Sequence, residues 1–239
     1  MTGNEAALPS GQLPVTSWRP ERTTVAVTVR LLGAALVILL VMVGIGQLLT
    51  HAWQHSGLVD WDDSVERWFV RHRTAGWNST TKVVTFGAET ETVIAIGLIF
   101  FIALRMRLGR WLESMFLAVS LIGEVSIFVS TTLLVERHRP AVPRLDGAPP
   151  TSSFPSGHTA ASVALYGGLA LIAWHAARSA WLRLAATALA VGMPIGVALA
   201  RLYRGMHNPT DVLAGALLAC CWLAVASTLV LRADRRAAR

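Results

Sequence analysis

Charged side chains are scarce in this chain, at 15% of 239 residues, where a soluble domain carries about 25%. Cysteine is nearly missing as well. The only two, Cys220 and Cys221, are adjacent inside an apolar run, which excludes a disulfide framework and a thiolate metal site. They read as small apolar residues. No His, Cys, Asp or Glu set has metal-ligand spacing, and no internal repeat is found. The net charge of +7 would suit nucleic acid, but no basic stripe with interleaved aromatics exists, so that partner is set aside. Period-2 alternation is also lacking, and backbone groups in lipid must pair internally. Any membrane-spanning segment is therefore helical.

Apolar residues make up 54% of the chain, and the mean hydropathy is +0.52. Six apolar segments stand out, at residues 31–49, 91–104, 111–135, 158–174, 181–200 and 211–231. Most approach the roughly 20 residues that cross a bilayer core; the second is the shortest. Residues 59–74 place Val59, Trp61, Val65, Trp68, Phe69 and His72 on one helical face, with acids and arginines opposite, as in a helix lying at a membrane surface. The expected fold is all-α: a polytopic bundle of six transmembrane helices plus one amphipathic interfacial helix.

Residues 1–24 are polar, contain Pro9, Pro14 and Pro20, and read as a disordered cytoplasmic tail. The first apolar run is too long for a signal-peptide core and reads as a retained span. Residues 25–232 are the expected six-span domain, and residues 233–239 a basic cytoplasmic tail. With both termini inside, 12 of the 21 basic residues fall on the inner side. The outer nine are balanced by Asp60, Asp62, Asp63 and Glu66 or belong to motif loops. The expected location is thus a cell (inner) membrane, with the motif loops facing outward.

Three stretches sit at span ends on that outer side: Arg137-His138-Arg139-Pro140, Pro155-Ser156-Gly157-His158, and residues 201–211 from Arg201 to Asp211. Arg139 and Arg201 offer planar cationic forks suited to phosphate oxygens. Ser156, Gly157 and His158 open a helix, whose first N–H groups and dipole favour an anion. Phosphoryl transfer further needs an in-line nucleophile and a proton for the leaving oxygen. Asn208 reads as an N-cap and Pro209 as a first-turn residue. One helical turn can then bring the Asp211 carboxylate to a ring nitrogen of His207, leaving the other nitrogen free to attack phosphorus. His158 can protonate the departing alkoxide.

These residues resemble the three-part signature of the type-2 phosphatidic acid phosphatase superfamily, in its bacterial six-span membrane form. That superfamily includes the lipid phosphate phosphatases and is related to bacterial acid phosphatases and vanadium haloperoxidases. Its pattern is Lys-x6-Arg-Pro, Pro-Ser-Gly-His and Ser-Arg-x5-His-x3-Asp. The resemblance implies His207 as nucleophile, Asp211 as its orienting partner and His158 as acid and base. It implies phosphate binding by Arg139, Ser156, Gly157 and Arg201, with no metal or other cofactor. Thr132 stands where the pattern has Lys and Ala200 where it has Ser, and Arg137 or Arg204 could lean in to replace the missing cation. The implied substrate is a membrane lipid phosphate or diphosphate of the polyprenyl, phosphatidylglycerol phosphate or phosphatidic acid type. A phosphotransferase using the same histidine, and a non-catalytic phospholipid-binding protein, stay open as alternatives, as does the oligomeric state.

Outside the motifs, Glu124 lies mid-span, where an ionisable group must face the bundle interior. It reads as a partner for an active-site arginine or as a polar contact to a neighbouring helix. Trp174, His175 and Trp181 read as interfacial anchors, and His51 and His55 as surface residues.

Overall fold

The computed structural model describes residues 20–54, 56–147 and 150–231. Among these the chain is helical and has no strand. The elements are α1 (Pro20–Gln47, continued by a π turn over Leu48–Ala52), α2 (Gly57–Arg71), α3 (Ala75–Phe86), α4 (Thr90–Leu108), α5 (Leu112–Leu134), α6 (Gly157–Ser162), α7 (Gly168–Ala176), α8 (Ala180–Tyr203) and α9 (Pro209–Ala226). A π turn over Val163–Gly167 joins α6 to α7, and another over Ser227–Leu231 ends α9.

Local chemistry sets the boundaries. The Thr74 hydroxyl accepts the Trp77 N–H at 3.2 Å and starts α3, and Ser179 does the same for α8 through the Leu182 N–H. Gly109, at φ 69°, ends α4 in the left-handed conformation, which costs glycine no Cβ clash. Pro209 occupies the first turn of α9, where its missing N–H is no loss.

Five helical stretches are long and apolar enough to cross a bilayer: Thr24–Ala52, Leu112–Leu134, Gly157–Ala176, Ala180–Tyr203 and Pro209–Leu231. The short second segment of the sequence reading belongs to α4, which reaches the same standard only together with α3, across a 45° bend. The protein is a multi-pass helical membrane bundle with five spans, or six if that bent pair counts as one. Its outer faces are apolar: Leu32, Leu36 and Leu40 of α1, Leu133 of α5 and Trp181 of α8 are all exposed, as lipid contact requires.

The core lies between α5 and α9. Phe116, Leu117, Leu165, Ala219 and Leu223 form one cluster, with α5, α9 and the π turn after α6 contributing. Met42, Ile127, Phe154, Leu218 and Trp222 form a second, which seats α1. The Trp222 indole donates to the Val119 and Ser120 carbonyls at 3.1 Å, so its polar edge is satisfied within the bundle.

Three expectations are corrected. Residues 20–24 are the start of α1, not tail; residues 1–19 and 232–239, including the expected C-terminal tail, lie outside the described residues, as does His55. The interfacial helix exists as α2, but its inner face is the acidic one. Asp62 and Glu66 are buried while Trp61 and Trp68 are exposed, because Asp62 meets a buried arginine and a helix start. His175 is no free anchor either, since its side chain is buried 3.8 Å from Glu113. Trp174 and Trp181 are exposed, in keeping with anchoring.

Helix α9 approaches the start of α6 closely enough that a Cβ on Gly215 would lie 2.4 Å from the Ser156 carbonyl oxygen. Gly215→Ala is expected to destabilise the bundle by about 1–3 kcal/mol, read as a lower melting temperature in detergent. Gly192→Ala, with nothing within 4 Å, should leave that temperature unchanged.

Candidate active site

The site is built at one end of the bundle, where α5 and α8 finish and α6 and α9 begin. Helix α8 closes with the Gly205 N–H donating to the Leu202 carbonyl and the Met206 N–H to the Arg201 carbonyl, at 2.9 and 3.0 Å. Gly205 has φ 70°, and a Cβ there would come within 2.9 Å of the Arg73 guanidinium. Both facts call for glycine. The chain reverses at this turn and delivers His207 immediately before the N-cap Asn208.

His207 is 4% exposed. Its Nδ1 lies 2.8 Å from the Ser153 carbonyl oxygen, an acceptor only, so Nδ1 carries the proton and Nε2 keeps its lone pair. The expected Asp211 hydrogen bond is not what orients the ring. Asp211 Oδ2 is 3.9 Å from Nδ1, beyond hydrogen-bonding distance. That carboxylate instead accepts the Asn208 backbone N–H at 2.8 Å and its side-chain amide at 3.0 Å. Its other oxygen pairs with Arg137. Asp211 is thus tied to Asn208, the residue that follows His207. Burial, followed by the positive charges of Arg201 and Arg139, holds the His207 pKa well below the usual histidine range, against the pull of the Ser153 carbonyl. Both effects favour the neutral imidazole.

Arg139 and Arg201 both reach this region. Arg139 donates to the Met206 carbonyl at 2.8 Å, and Arg201 lies 3.3 Å from Asp146. Each has a buried Nε–H with no hydrogen-bond partner. A desolvated, unpaired cationic donor is costly, and two of them beside one histidine form a place for an anion. Gly157 and His158 occupy the first turn of α6, where N–H groups have no acceptor within the helix. Gly157 packs against Phe128, whose ring a Cβ would meet at 2.6 Å. The fully buried Ser156 is engaged elsewhere: its N–H donates to the Asp211 carbonyl at 2.9 Å and its hydroxyl pairs with Thr159. It ties α6 to α9 as well as opening the helix.

Neither arginine suggested as a substitute cation at Thr132 is free. Arg137 binds Asp62 at 2.8 Å, Thr210 at 2.7 Å, and Asp211. Arg204 binds both oxygens of Asp146, the Asn78 carbonyl and the Thr81 hydroxyl. Thr132 itself has a buried hydroxyl with no partner. Glu124 is buried with Oε1 unpaired, and Arg137, Arg201 and Arg204 take Asp62, Asp211 and Asp146 as their carboxylates instead. His138 is exposed and contributes its carbonyl to the Ser153 hydroxyl at 2.9 Å.

Sequence reasoning missed Asp62, Asp146 and Ser153. Asp146 sits in the loop between α5 and α6, and burial alone would raise its pKa. The hydrogen bond and charge of Arg204, with the charges of Arg201 and His158, outweigh that and hold it below the usual carboxylate range. No local signal marks these residues, because their partners are 50 or more positions away.

A cavity of about 720 Å³ adjoins the site between the ends of α1 and α5, lined among others by Gln47, His51, Leu133, Leu134, His138, Arg139 and Asn208. It touches the arginine side of the cluster; His158, Arg201 and His207 do not line it. Among the described residues no group of three or more His, Cys, Asp or Glu side chains is placed to hold a metal ion.

A family profile described as the PAP2 superfamily matches residues 112–235, and the chain belongs to that superfamily. Its fold is similar to that of the first transmembrane PAP2 type phosphatidylglycerolphosphate phosphatase from Bacillus subtilis, with a TM-score of 0.68 at 18% identity, covering 83% of this chain and 96% of that one. Aquifex aeolicus LpxE is similar at a TM-score of 0.53 and 18% identity, over 68% of this chain and 92% of that one. A comparison with curated protein sequences found no match.

Glu66, one turn from Asp62 on α2, has its pKa pushed up to about 8, first by burial and then by Asp62, Asp63 and Asp211, with Arg137 opposing. The fold therefore holds this proton more tightly than the unfolded chain does. Its contribution to stability is lost as pH rises from about 4.5 through about 8 and changes no further above that. Melting curves in detergent across this range should show the decline, and Glu66→Gln should flatten it and raise the melting temperature at pH 8.

Proposed function

We propose that this member of the PAP2 superfamily is an integral membrane phosphatase that removes phosphate from a lipid phosphate or diphosphate through a phosphohistidine on His207. The observation that carries the reading is the meeting of His207, with its free Nε2, and two arginines whose buried Nε–H groups lack partners. Those arginines and the first N–H groups of α6 would hold the equatorial phosphate oxygens. The His207 Nε2 lone pair attacks phosphorus, the bond from phosphorus to the lipid oxygen breaks, and His158 gives its proton to the departing alkoxide. In the second step water attacks the phosphohistidine while His158 takes a proton from it. The P–N bond breaks, restoring neutral His207 and releasing inorganic phosphate. His158 thus gives one proton to the lipid alcohol and recovers one from water, and the proposed mechanism calls for no metal.

The cavity beside Arg139 supports a lipid substrate, because it sets apolar Leu133 and Leu134 next to cationic and polar groups. The substrate is of the polyprenyl diphosphate, phosphatidylglycerol phosphate or phosphatidic acid type; the second of these is what the similar Bacillus subtilis protein is described as acting on. The proposed phosphatase domain runs from the start of α1 at Pro20 to the end of the last helical turn at Leu231. The charge asymmetry of the spans favours a cell-membrane location with cytoplasmic termini and a site facing outward.

Purified protein in detergent is expected to release phosphate from at least one of these lipids with EDTA present. His207→Ala should abolish release, and Arg201→Ala should lower it by about 10²- to 10³-fold. Release that persists in His207→Ala, or that disappears with EDTA, would sink the proposed mechanism.

A further inference from the structure

Helix α2 carries a carboxylate that the reaction above does not use. Asp62 is wholly buried. Its Oδ1 accepts the Thr210 backbone N–H at 3.0 Å, and its Oδ2 accepts the Thr210 hydroxyl at 2.5 Å and an Arg137 N–H at 2.8 Å. Thr210 lies in the first turn of α9, where N–H groups lack helical acceptors and a negative charge is favoured. Asp62 therefore caps α9 from a different part of the chain.

Arg137 carries the connection onward by two routes. Its other guanidinium nitrogen donates to the Thr210 hydroxyl at 2.7 Å and to Asp211, whose second oxygen holds the N–H of Asn208, the residue after His207. Its backbone carbonyl accepts the Ser153 N–H at 2.9 Å, and the Ser153 carbonyl holds His207 Nδ1 at 2.8 Å. The Asp62–Arg137 pair thus grips both the turn that carries His207 and the carbonyl that orients its ring.

We infer that Asp62 and Arg137 are positioning residues that aim His207 Nε2 at the phosphorus, so that α2 is part of the catalytic apparatus. Arg137, despite its place two residues before Arg139, does not bind phosphate. The inference rests on the phosphatase reading above. Asp62 touches neither His207 nor the two arginines with unpaired Nε–H groups, so its influence passes only through alignment, to which reaction rates are steeply sensitive.

The test is Asp62→Asn, which keeps the side chain's size and leaves an oxygen for the Thr210 N–H while removing the charge that holds Arg137. The kcat is expected to fall about 10- to 100-fold, with KM and the Ki of inorganic phosphate unchanged. The Ki of vanadate, which binds tightly only by bonding to the nucleophile, should rise with the fall in kcat. Arg137→Lys, which keeps the charge but cannot serve two carboxylates, should show the same pattern and reads the same line if Asp62→Asn does not fold. Gly192→Ala, on α8 with nothing within 4 Å, should leave kcat unchanged. A folded Asp62→Asn with wild-type kcat, or equal weakening of phosphate and vanadate, would overturn the inference while leaving the phosphatase reading intact. Phosphate release that persists in His207→Ala would overturn that reading, and the inference with it.

Discussion

A guanidinium withdrawn from water between two buried carboxylates ties together parts of the chain more than 70 residues apart: Asp62 on α2, Arg137 after α5, and Asp211 at the start of α9. None of the three charges is tolerable there alone, and removing one partner from such a group typically costs about 3–5 kcal/mol. The need to keep them paired dictates how α2 lies. It turns the acidic face of an apparently amphipathic helix inward and leaves Trp61 and Trp68 outside. It also fixes where α9 begins relative to the loop that supplies Ser153, and hence where the His207 ring points.

A second charge group is built around Asp146. Asp146 pairs with Arg201 and Arg204, and Arg204 also donates to Asn78 and Thr81 of α3 and to the Leu145 carbonyl. The four arginines of the motif loops look alike in sequence, yet the carboxylates sort them. Arg137 and Arg204 are each held by carboxylates and hydroxyls and serve as fasteners. Arg139 and Arg201 each retain a buried, unpaired Nε–H, which suits them to an anion. Neither Arg137 nor Arg204 is therefore available to replace the expected lysine at Thr132.

The helical spans were legible because hydrophobic length is a local property. Four of the six apolar segments expected from sequence, residues 31–49, 158–174, 181–200 and 211–231, lie within single helical stretches long enough to cross a bilayer, and a fifth, residues 111–135, overhangs Leu112–Leu134 by one residue at each end. The sixth, residues 91–104, was harder to read because three charged residues, Glu91, Arg105 and Arg107, crowd α4, so that it reaches the required length of low charge only with α3. The presence of α2 was legible from periodicity, but its facing was not. Periodicity locates an apolar face and an acidic face without saying that a buried arginine awaits the latter.

For the site, the short motifs by themselves named His158, His207, Asp211, Arg139 and Arg201, because phosphate chemistry demands particular groups and each motif is contiguous. Which groups each of them pairs with was decided only in three dimensions. A carboxylate four residues from a histidine has the reach for a hydrogen bond, yet here it is drawn off by Asn208 and Arg137, and a main-chain carbonyl 54 residues away takes the ring nitrogen. Sequence determines which groups are present and which stretches must enter the membrane, since both follow from side-chain chemistry and local hydrophobicity. Which charges pair depends on desolvation, and desolvation exists only once distant segments have closed around the same point.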